Sequence, residues 1–207
     1  MYIPKFYEEK DLEQIEQLIR QHAFGILITT REERPFATHL PLHLVISANG
    51  EWLLQGHIAR ANPQWRGFDD KANVLAVFMG PHSYVSPSWY NHKNVPTWNY
   101  QAVHLSGKIR IVEGTELRNN LRQLMAHHEN LHAKNPTAFD EVPEDLLQKD
   151  LNGLVGFEIK VERIEAASKL SQNRDAESYQ NIIDNLKVLK AYDSDIIAAE
   201  MEKKKEK

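Results

Sequence analysis

Strand-length stretches follow one another in this chain with turn-length connections between them, and no other feature constrains the fold as tightly. Phe24-Gly25-Ile26-Leu27-Ile28-Thr29-Thr30 is short and rich in strand formers, and the charged turn Arg31 to Arg34 follows at once. A second strand is read from Phe36 to Val45, with Pro41 on an edge or at a bend because proline brings no N–H to a ladder. Asn49-Gly50 is a strong hairpin signal, and Trp52 to His57 is the strand behind it. Val74 to Phe78 is a fully apolar run of strand length. Trp98 to Val112 reads as one long strand, with Gly107 as a candidate bulge. From Gly153 to Ile164, Leu154, Gly156, Glu158, Lys160 and Glu162 alternate with Val155, Phe157, Ile159 and Val161, which predicts a half-buried strand with one wet face.

Helices flank these strands. Leu12, Ile15, Leu18, Ile19 and His22 recur at helical spacing behind Asp11 as a cap. Asn62-Pro63 starts a short helical turn, and Gly80 to Pro96 reads as irregular. Thr115 is read as the cap of a helix ending near His132, and a short helix follows Pro143. Asp175 to Leu189 and Asp193 to about Met201 are further helices, and the tail Glu202 to Lys207 is expected to fray. The reading gives about six strands, without βαβ alternation and without a glycine-rich fingerprint after the first strand. That excludes a Rossmann domain and favours a mainly β, α+β chain: a small antiparallel barrel with peripheral helices. Residues 1–170 are expected to form the barrel domain with its first helix and inserted helices, and residues 171–207 a C-terminal helical extension.

The 207 residues are 42% hydrophobic, enough for a core, and 26% charged, as ordinary solubility requires. The net charge of −4 argues against wholesale electrostatic binding to nucleic acid, so direct, specific DNA binding is expected to be weak. There is no cysteine, which rules out disulfides, thiolate metal sites and a cysteine nucleophile. The start, Met1-Tyr2-Ile3-Pro4-Lys5-Phe6, turns charged at once and is no signal peptide, and no apolar run approaches the ~20 residues of a membrane span. A cytoplasmic protein with no membrane partner is expected.

Two segments are dense in chemistry. Gly56-His57-Ile58-Ala59-Arg60-Ala61-Asn62-Pro63-Gln64-Trp65 leaves a strand end, crosses a polar loop and enters a helical turn. Backbone N–H groups at such a turn, with an arginine beside them, suit a phosphate; on these residues alone a plain turn with a solvated arginine and an Asn-Pro cap is the favoured reading. Tyr84 to Tyr90 and Val95 to Tyr100 combine Trp, Tyr and Ser with rigid prolines. Flat aromatic walls with a few fixed polar groups suit a planar heterocycle, and on composition they suit an aromatic dimer interface just as well. Lys169-Leu170-Ser171-Gln172-Asn173-Arg174 offers several donors for an anion or a ring edge, or a helix-entry loop with Asp175 as cap.

His128-Glu129-Asn130-Leu131-His132 matches the H-E-x-x-H pattern of zinc proteases. The extended pattern wants Gly and His three and six residues further on, where this chain has Asn135 and Ala138. With ten histidines and 29 acidic residues a chance match is unsurprising. The run is read as a solvated helix end, where histidine also complements the helix dipole, and no metal site is expected.

Met1-Tyr2-Ile3-Pro4, Ala37-Thr38-His39-Leu40-Pro41-Leu42, Gly56-His57 with Ala61 to Trp65, Gly80-Pro81-His82 with Tyr84-Val85-Ser86, Ser88-Trp89-Tyr90, Val95 to Tyr100 and Lys169 to Arg174 occur in order along the chain. Taken together they resemble the PaiB-type family of FMN-binding negative transcriptional regulators over essentially the whole length. The resemblance implies an antiparallel split β-barrel like that of pyridoxamine-phosphate oxidase, a homodimer with FMN (flavin mononucleotide) at the interface, and repression of sporulation and secreted-protease genes. By analogy His57, Arg60 and Asn62 would take the phosphate end of FMN. Ser88, Trp98 and Asn99 would face the flavin or the partner subunit, and Lys169 and Gln172 are further cofactor-binding candidates. No catalytic residue is implied. Rival readings are a flavin-dependent oxidoreductase using the same site, and a haem-binding relative with a histidine axial ligand.

Overall fold

The computed structural model describes residues 1–205. Its elements, in chain order, are β1 (Glu8–Glu9), α1 (Leu12–Gln21), β2 (Phe24–Arg31), β3 (Arg34–Pro41), β4 (His43–Ile46), β5 (Trp52–Ala59), β6 (Asn73–Val85), β7 (Thr97–Val112), α2 (Gly114–His132), α3 (Glu144–Asn152), β8 (Leu154–Lys169), α4 (Ala176–Leu189) and α5 (Ser194–Lys205). Eight strands among the described residues join an antiparallel sheet of order β3-β2-β6-β7-β8-β5-β4, with β1 beside β8. The chain divides into two compact units. One comprises Met1–His22, Phe78–His104 and Ile164–Lys207, and the other Ala23–Val77 and Leu105–Arg163.

In the second unit, β2 and β3 pair from Phe24↔Pro41 to Arg31↔Arg34. The turn between them holds Glu32 and Glu33 at φ 50° and 61°, the left-handed pair that a two-residue hairpin needs to match strand twist. Asn49-Gly50 turns β4 into β5 as expected, with Gly50 at φ 82°. The stretch read as one strand from Phe36 to Val45 is two, because the chain breaks at Leu42 after Pro41. The core of this unit carries Leu27, Leu54, Leu105, Ile109, Phe157 and Ile159, each fully buried. Phe68 meets Phe157 edge to face at 5.4 Å and 72°, a favoured aromatic geometry. At Gly56 an added Cβ would sit 2.6 Å from the Phe157 ring, so the absent side chain is the room the ring occupies.

In the first unit, Asp11 caps α1 through its carboxylate, which accepts from Glu13 N at 3.1 Å, and Ile15 and Ile19 turn inward. Leu186, Ile182 and Ile183 of α4 pack on Ile197, Ala198 and Met201 of α5, with Val85, Tyr90 and Leu170 in the same cluster. The stretch from Gly80 expected to be irregular is strand as far as Val85. Its register with β2 ends at Val77, and beyond it His82 is bonded to Asp193, its N donating to Asp193 Oδ2 at 3.1 Å and its O accepting from Asp193 N at 3.2 Å. The tail expected to fray is helical to Lys205, and Lys204 pairs with Glu9 at 2.8 Å; Glu206 and Lys207 lie outside the described residues. Thr115 lies inside α2, whose cap position is Glu113.

Gly107 is no break in β7, which runs through it. A Cβ there would fall 2.0 Å from the Lys160 carbonyl oxygen, so the glycine lets β8 approach β7 closely. Gly107→Ala is therefore expected to destabilise the protein by about 3 kcal/mol, at the top of the overpacking range, read from a lowered denaturation midpoint. An unchanged midpoint would show that the contact relaxes freely.

Candidate functional site

The loop after β5 is the most heavily cross-linked stretch of the second unit. Asn62 caps the 3₁₀ turn Pro63–Gly67, its Oδ1 accepting from Gln64 N at 3.0 Å, while its Nδ2 donates to Thr38 Oγ1 at 3.0 Å. Thr38 in turn donates to Gln64 Oε1 at 2.6 Å. Gln64 is only 2% exposed. Its Nε2 reaches Leu27 O, Thr29 Oγ1 and Phe36 O, each at 3.2 Å. The carboxamide thus fastens the loop to β2 and β3.

Arg60 is held as firmly. Its backbone N donates to Gly153 O at 2.7 Å, Nε to Asn152 O at 2.9 Å and Nη2 to Leu154 O at 2.8 Å. Trp65 Nε1 donates back to Arg60 O at 2.9 Å, and the guanidinium lies 6.0 Å from the Trp65 ring centre. The expected free cation is therefore a clamp on the α3–β8 turn, with Nη1 left over. It borders a groove of about 410 Å³, lined also by Gly114, Thr115, Arg118, Asn152 and Gly156. Here α2 begins at Gly114, with φ 57° and no side-chain cap on its first N–H groups. Free N–H donors at a helix start beside an arginine suit an oxyanion. Arg118 is tied to Glu144 through two bonds, at 2.9 and 2.6 Å, which hold the Glu144 carboxyl at about 2.

His57 turns elsewhere. It lines a void of about 10 Å³ with His43, Gln55, Leu117 and Asn120. Burial pushes its imidazole pKa below the ordinary value, which favours the neutral ring. Gln55 Oε1 and Asn120 Nδ2 are buried there without a partner. Gln55 Nε2 donates to Glu158 Oε2 at 3.1 Å, and Arg110 bridges Glu158 and Glu116. His57, near the end of β5, and Arg60 and Asn62, in the loop after it, thus line different surroundings: a small void, a groove and a strand-end network.

The first unit holds the other sequence-predicted residues. Ser88 is exposed and bonds Ser86 at 2.8 Å. Trp98 is 41% exposed and stands edge to face with Tyr84 at 5.9 Å and Tyr192 at 5.1 Å. Asn99 is fully buried, accepting from Ser171 Oγ at 2.9 Å and donating to the Met201 sulfur at 3.4 Å. Gln172 closes its own turn, accepting from Leu170 N and donating to Ser168 O, both at 2.7 Å. Lys169 donates to Thr97 Oγ1 at 2.5 Å, 5.8 Å from the centre of the Tyr7 ring. Asn99 and Gln172 spend their amides on the fold, whereas Trp98 and Lys169 keep a face for a ligand. Thr38 and Gln64 stand in the quoted motifs, but the sequence reading did not foresee that they tie the loop to β2 and β3.

In the H-E-x-x-H run, the His128 and His132 rings stack at 6.0 Å, and the Glu129 carboxylate accepts from Thr137 N at 2.8 Å. Among the described residues no group of three His, Asp or Glu side chains is placed to hold a metal ion. No described helix is long and apolar enough to cross a membrane.

Comparison with known proteins places this geometry. A family model described as "Putative FMN-binding domain" matches residues 1–163. Protease synthase and sporulation protein PAI 2 of Bacillus subtilis is 45% identical over 186 residues, 90% of this chain and 89% of that one. An FAD and heme binding protein from Mycobacterium smegmatis superposes with TM-score 0.60 at 13% identity, over 84% of this chain and 78% of its own. The flavocytochrome Anf3 from Azotobacter vinelandii does so with TM-score 0.57 at 13% identity, over 86% and 78%. At such identities the structural likeness carries the fold alone: the antiparallel split β-barrel with peripheral helices.

A half-buried neutral imidazole makes stability depend on pH. The folded His57 pKa lies below the unfolded value of about 6.5, so its contribution is full above that pH and is lost as pH falls through it. His22 and His104 shift the same way, with burial the leading cause in each. Stability is expected to drop between pH 7 and pH 5, and His57→Gln to flatten that drop. Parallel pH profiles for the two proteins in denaturant titrations would remove His57 from the account.

Proposed function

This chain belongs to the FMN-binding domain family, and on that premise we propose that it is a cytoplasmic, flavin-carrying negative regulator of sporulation and secreted-protease genes. The observation that carries the reading is the 45% identity, over nine-tenths of both chains, to a relative whose name joins protease synthesis to sporulation. The cofactor is FMN, and the donor set suits it. Arg60 Nη1 and the uncapped N–H groups of α2 border a groove large enough for a phosphate, and dianionic phosphate calls for such donors. Asn62, on the same loop as Arg60, caps the 3₁₀ turn that follows. When bound, the flavin ring supplies one- and two-electron redox chemistry.

The protein acts as a homodimer in this reading. Trp98, Tyr192 and Met79 of the first unit are 41%, 67% and 56% exposed, an apolar surface of the kind that association covers. Light scattering at micromolar concentration should give twice the chain mass; a monomer would count against the dimer. Regulation proceeds without direct, specific grip on DNA, in keeping with a net charge of −4. Nanomolar binding to a promoter fragment at physiological salt would overturn that part.

The test of the cofactor site is a flavin titration. Purified protein should be yellow with a flavin absorbance spectrum; a haem spectrum would reject the reading. Arg60→Ala is expected to weaken FMN about tenfold to a hundredfold, the worth of charge-assisted bonds of ~1.5–3 kcal/mol. Riboflavin, lacking the phosphate, should bind both proteins alike. Because Arg60 also clamps the α3–β8 turn, the riboflavin arm separates lost phosphate contact from a loosened loop. Equal FMN affinities for the two proteins would take Arg60 out of the site.

A further inference from the structure

Lys169 and Arg174 lie five residues apart in the first unit, near enough for the Arg174 charge to act on Lys169, and neither forms an ion pair with a carboxylate among the described residues. Lys169 has Thr97 Oγ1 as its only hydrogen-bond partner, at 2.5 Å, and the Tyr7 ring at 5.8 Å. The Arg174 guanidinium lies 5.0 Å from the Tyr90 ring centre. The carboxylate next in sequence, Asp175, is spent on Ser178 N at 2.9 Å and on Asn91 Nδ2 at 3.2 Å. Two orphaned polar atoms accompany the cations: Arg174 Nε and the Tyr90 hydroxyl are buried without any partner, and Tyr90 as a whole is 7% exposed.

That is an unbalanced arrangement. Buried polar groups are nearly always paired, and an unpaired one costs the full loss of its hydration. Two like charges side by side in a half-dry site add repulsion. The strain registers on the neighbours: burial first, then Arg174, push the Lys169 ammonium pKa down. Burial also raises the Tyr7 phenol, with the Tyr90 and Tyr100 hydroxyls adding to it and Arg174 opposing. Three phenols and two cations supply hydrogen-bond donors and positive charge, and what they lack is an acceptor with negative charge. An oxyanion satisfies all of them at once, whereas a metal cation would meet only repulsion.

We propose that Lys169 and Arg174, beside the Tyr7 and Tyr90 rings, form a seat for the oxyanion head, phosphate or carboxylate, of a small acidic ligand other than the flavin. Arg174 offers a planar fork to such a head group. In a flavin-carrying regulator such a seat is where an acidic metabolite would set the state of the protein. The inference rests on the first unit's own contacts and does not require the Arg60 groove to hold FMN.

The test uses the flavin-loaded protein and titrates inorganic phosphate and, separately, acetate by calorimetry at constant ionic strength. Saturable binding of one anion per chain is expected, at least tenfold weaker in Arg174→Gln and in Lys169→Gln. Lys169→Arg should retain most of it, which guards against a merely misfolded glutamine variant, as does an unchanged thermal midpoint. Competition by acetate assigns the seat to any oxyanion head; phosphate binding alone narrows it to phosphoryl groups, and either supports the proposal. Anion binding that is absent, or unaltered by both glutamine variants, overturns it. So does a loss of FMN affinity in those variants with riboflavin affinity retained, since the cluster would then be the flavin's own phosphate seat. The Arg60 reading fails on a different measurement, the FMN titration of Arg60→Ala.

Discussion

A carboxamide carries donors and an acceptor that cannot be left dry, and Gln64 is placed where only the strand ends around it can meet them. Its amide nitrogen takes the carbonyls of Leu27 and Phe36 and the hydroxyl of Thr29, and its oxygen takes the Thr38 proton. Removing any one of these would strand a buried polar group at a cost of about 1–3 kcal/mol. The position of the whole loop after β5 follows from that constraint. Asn62 is fixed because Thr38 is fixed, and the 3₁₀ turn begins where Asn62 can cap it. Arg60 is then carried to the α3–β8 turn, where the carbonyls of Asn152 and Leu154 need donors at the end of a helix.

Ion pairs occur in both units. In the second, Arg110 pairs with Glu116 and Glu158, Arg118 with Glu144, Arg122 with Asp140 and Lys160 with Glu51. Most of these pairs are exposed and contribute little to stability. Glu158 is the exception at 8% exposure, where two bonds from the Arg110 guanidinium, at 3.1 and 2.7 Å, meet a nearly buried carboxylate. In the first unit Lys204 finds Glu9, but Lys169 and Arg174 face aromatic rings instead of carboxylates.

What could be read from the sequence follows physical range. Periodicity is local, so α1, β2, the hairpin at Asn49-Gly50 and the Asp175 cap of α4 stand where the residues alone place them. The register of neighbouring strands is not local. β6 reaches Val85 through Pro81, past the end of its register with β2, and no property of the Gly80-Pro81-His82 run tells such a strand from a broken one. Gly107 carries the same lesson, since a bulge and a close approach both call for glycine and only the Lys160 carbonyl decides between them. At the candidate site the family motifs located the loop, but not the direction of its side chains. Asn99 and Gln172 read as ligand groups because buried amides and ligating amides are the same chemical type, and only their partners Ser171, Leu170 and Ser168 separate the two uses.

The first unit is assembled from three separated pieces of chain, Met1–His22, Phe78–His104 and Ile164–Lys207. Its β1 lies against Ala166 and Ala167, and Glu9 meets Lys204. The residues of β1 therefore wait for β8 and α5, made far later, before they have these partners. Contacts of that sequence separation close slowly and leave apolar helix faces bare in the meantime. Met201 sits at the end of the wait: its sulfur accepts from Asn99 and its carbonyl from the Tyr179 hydroxyl. A chain that stops short of α5, whether by nonsense mutation or by stalled synthesis, would thus leave Asn99, Tyr179 and the apolar face of α4 without the partners that α5 supplies.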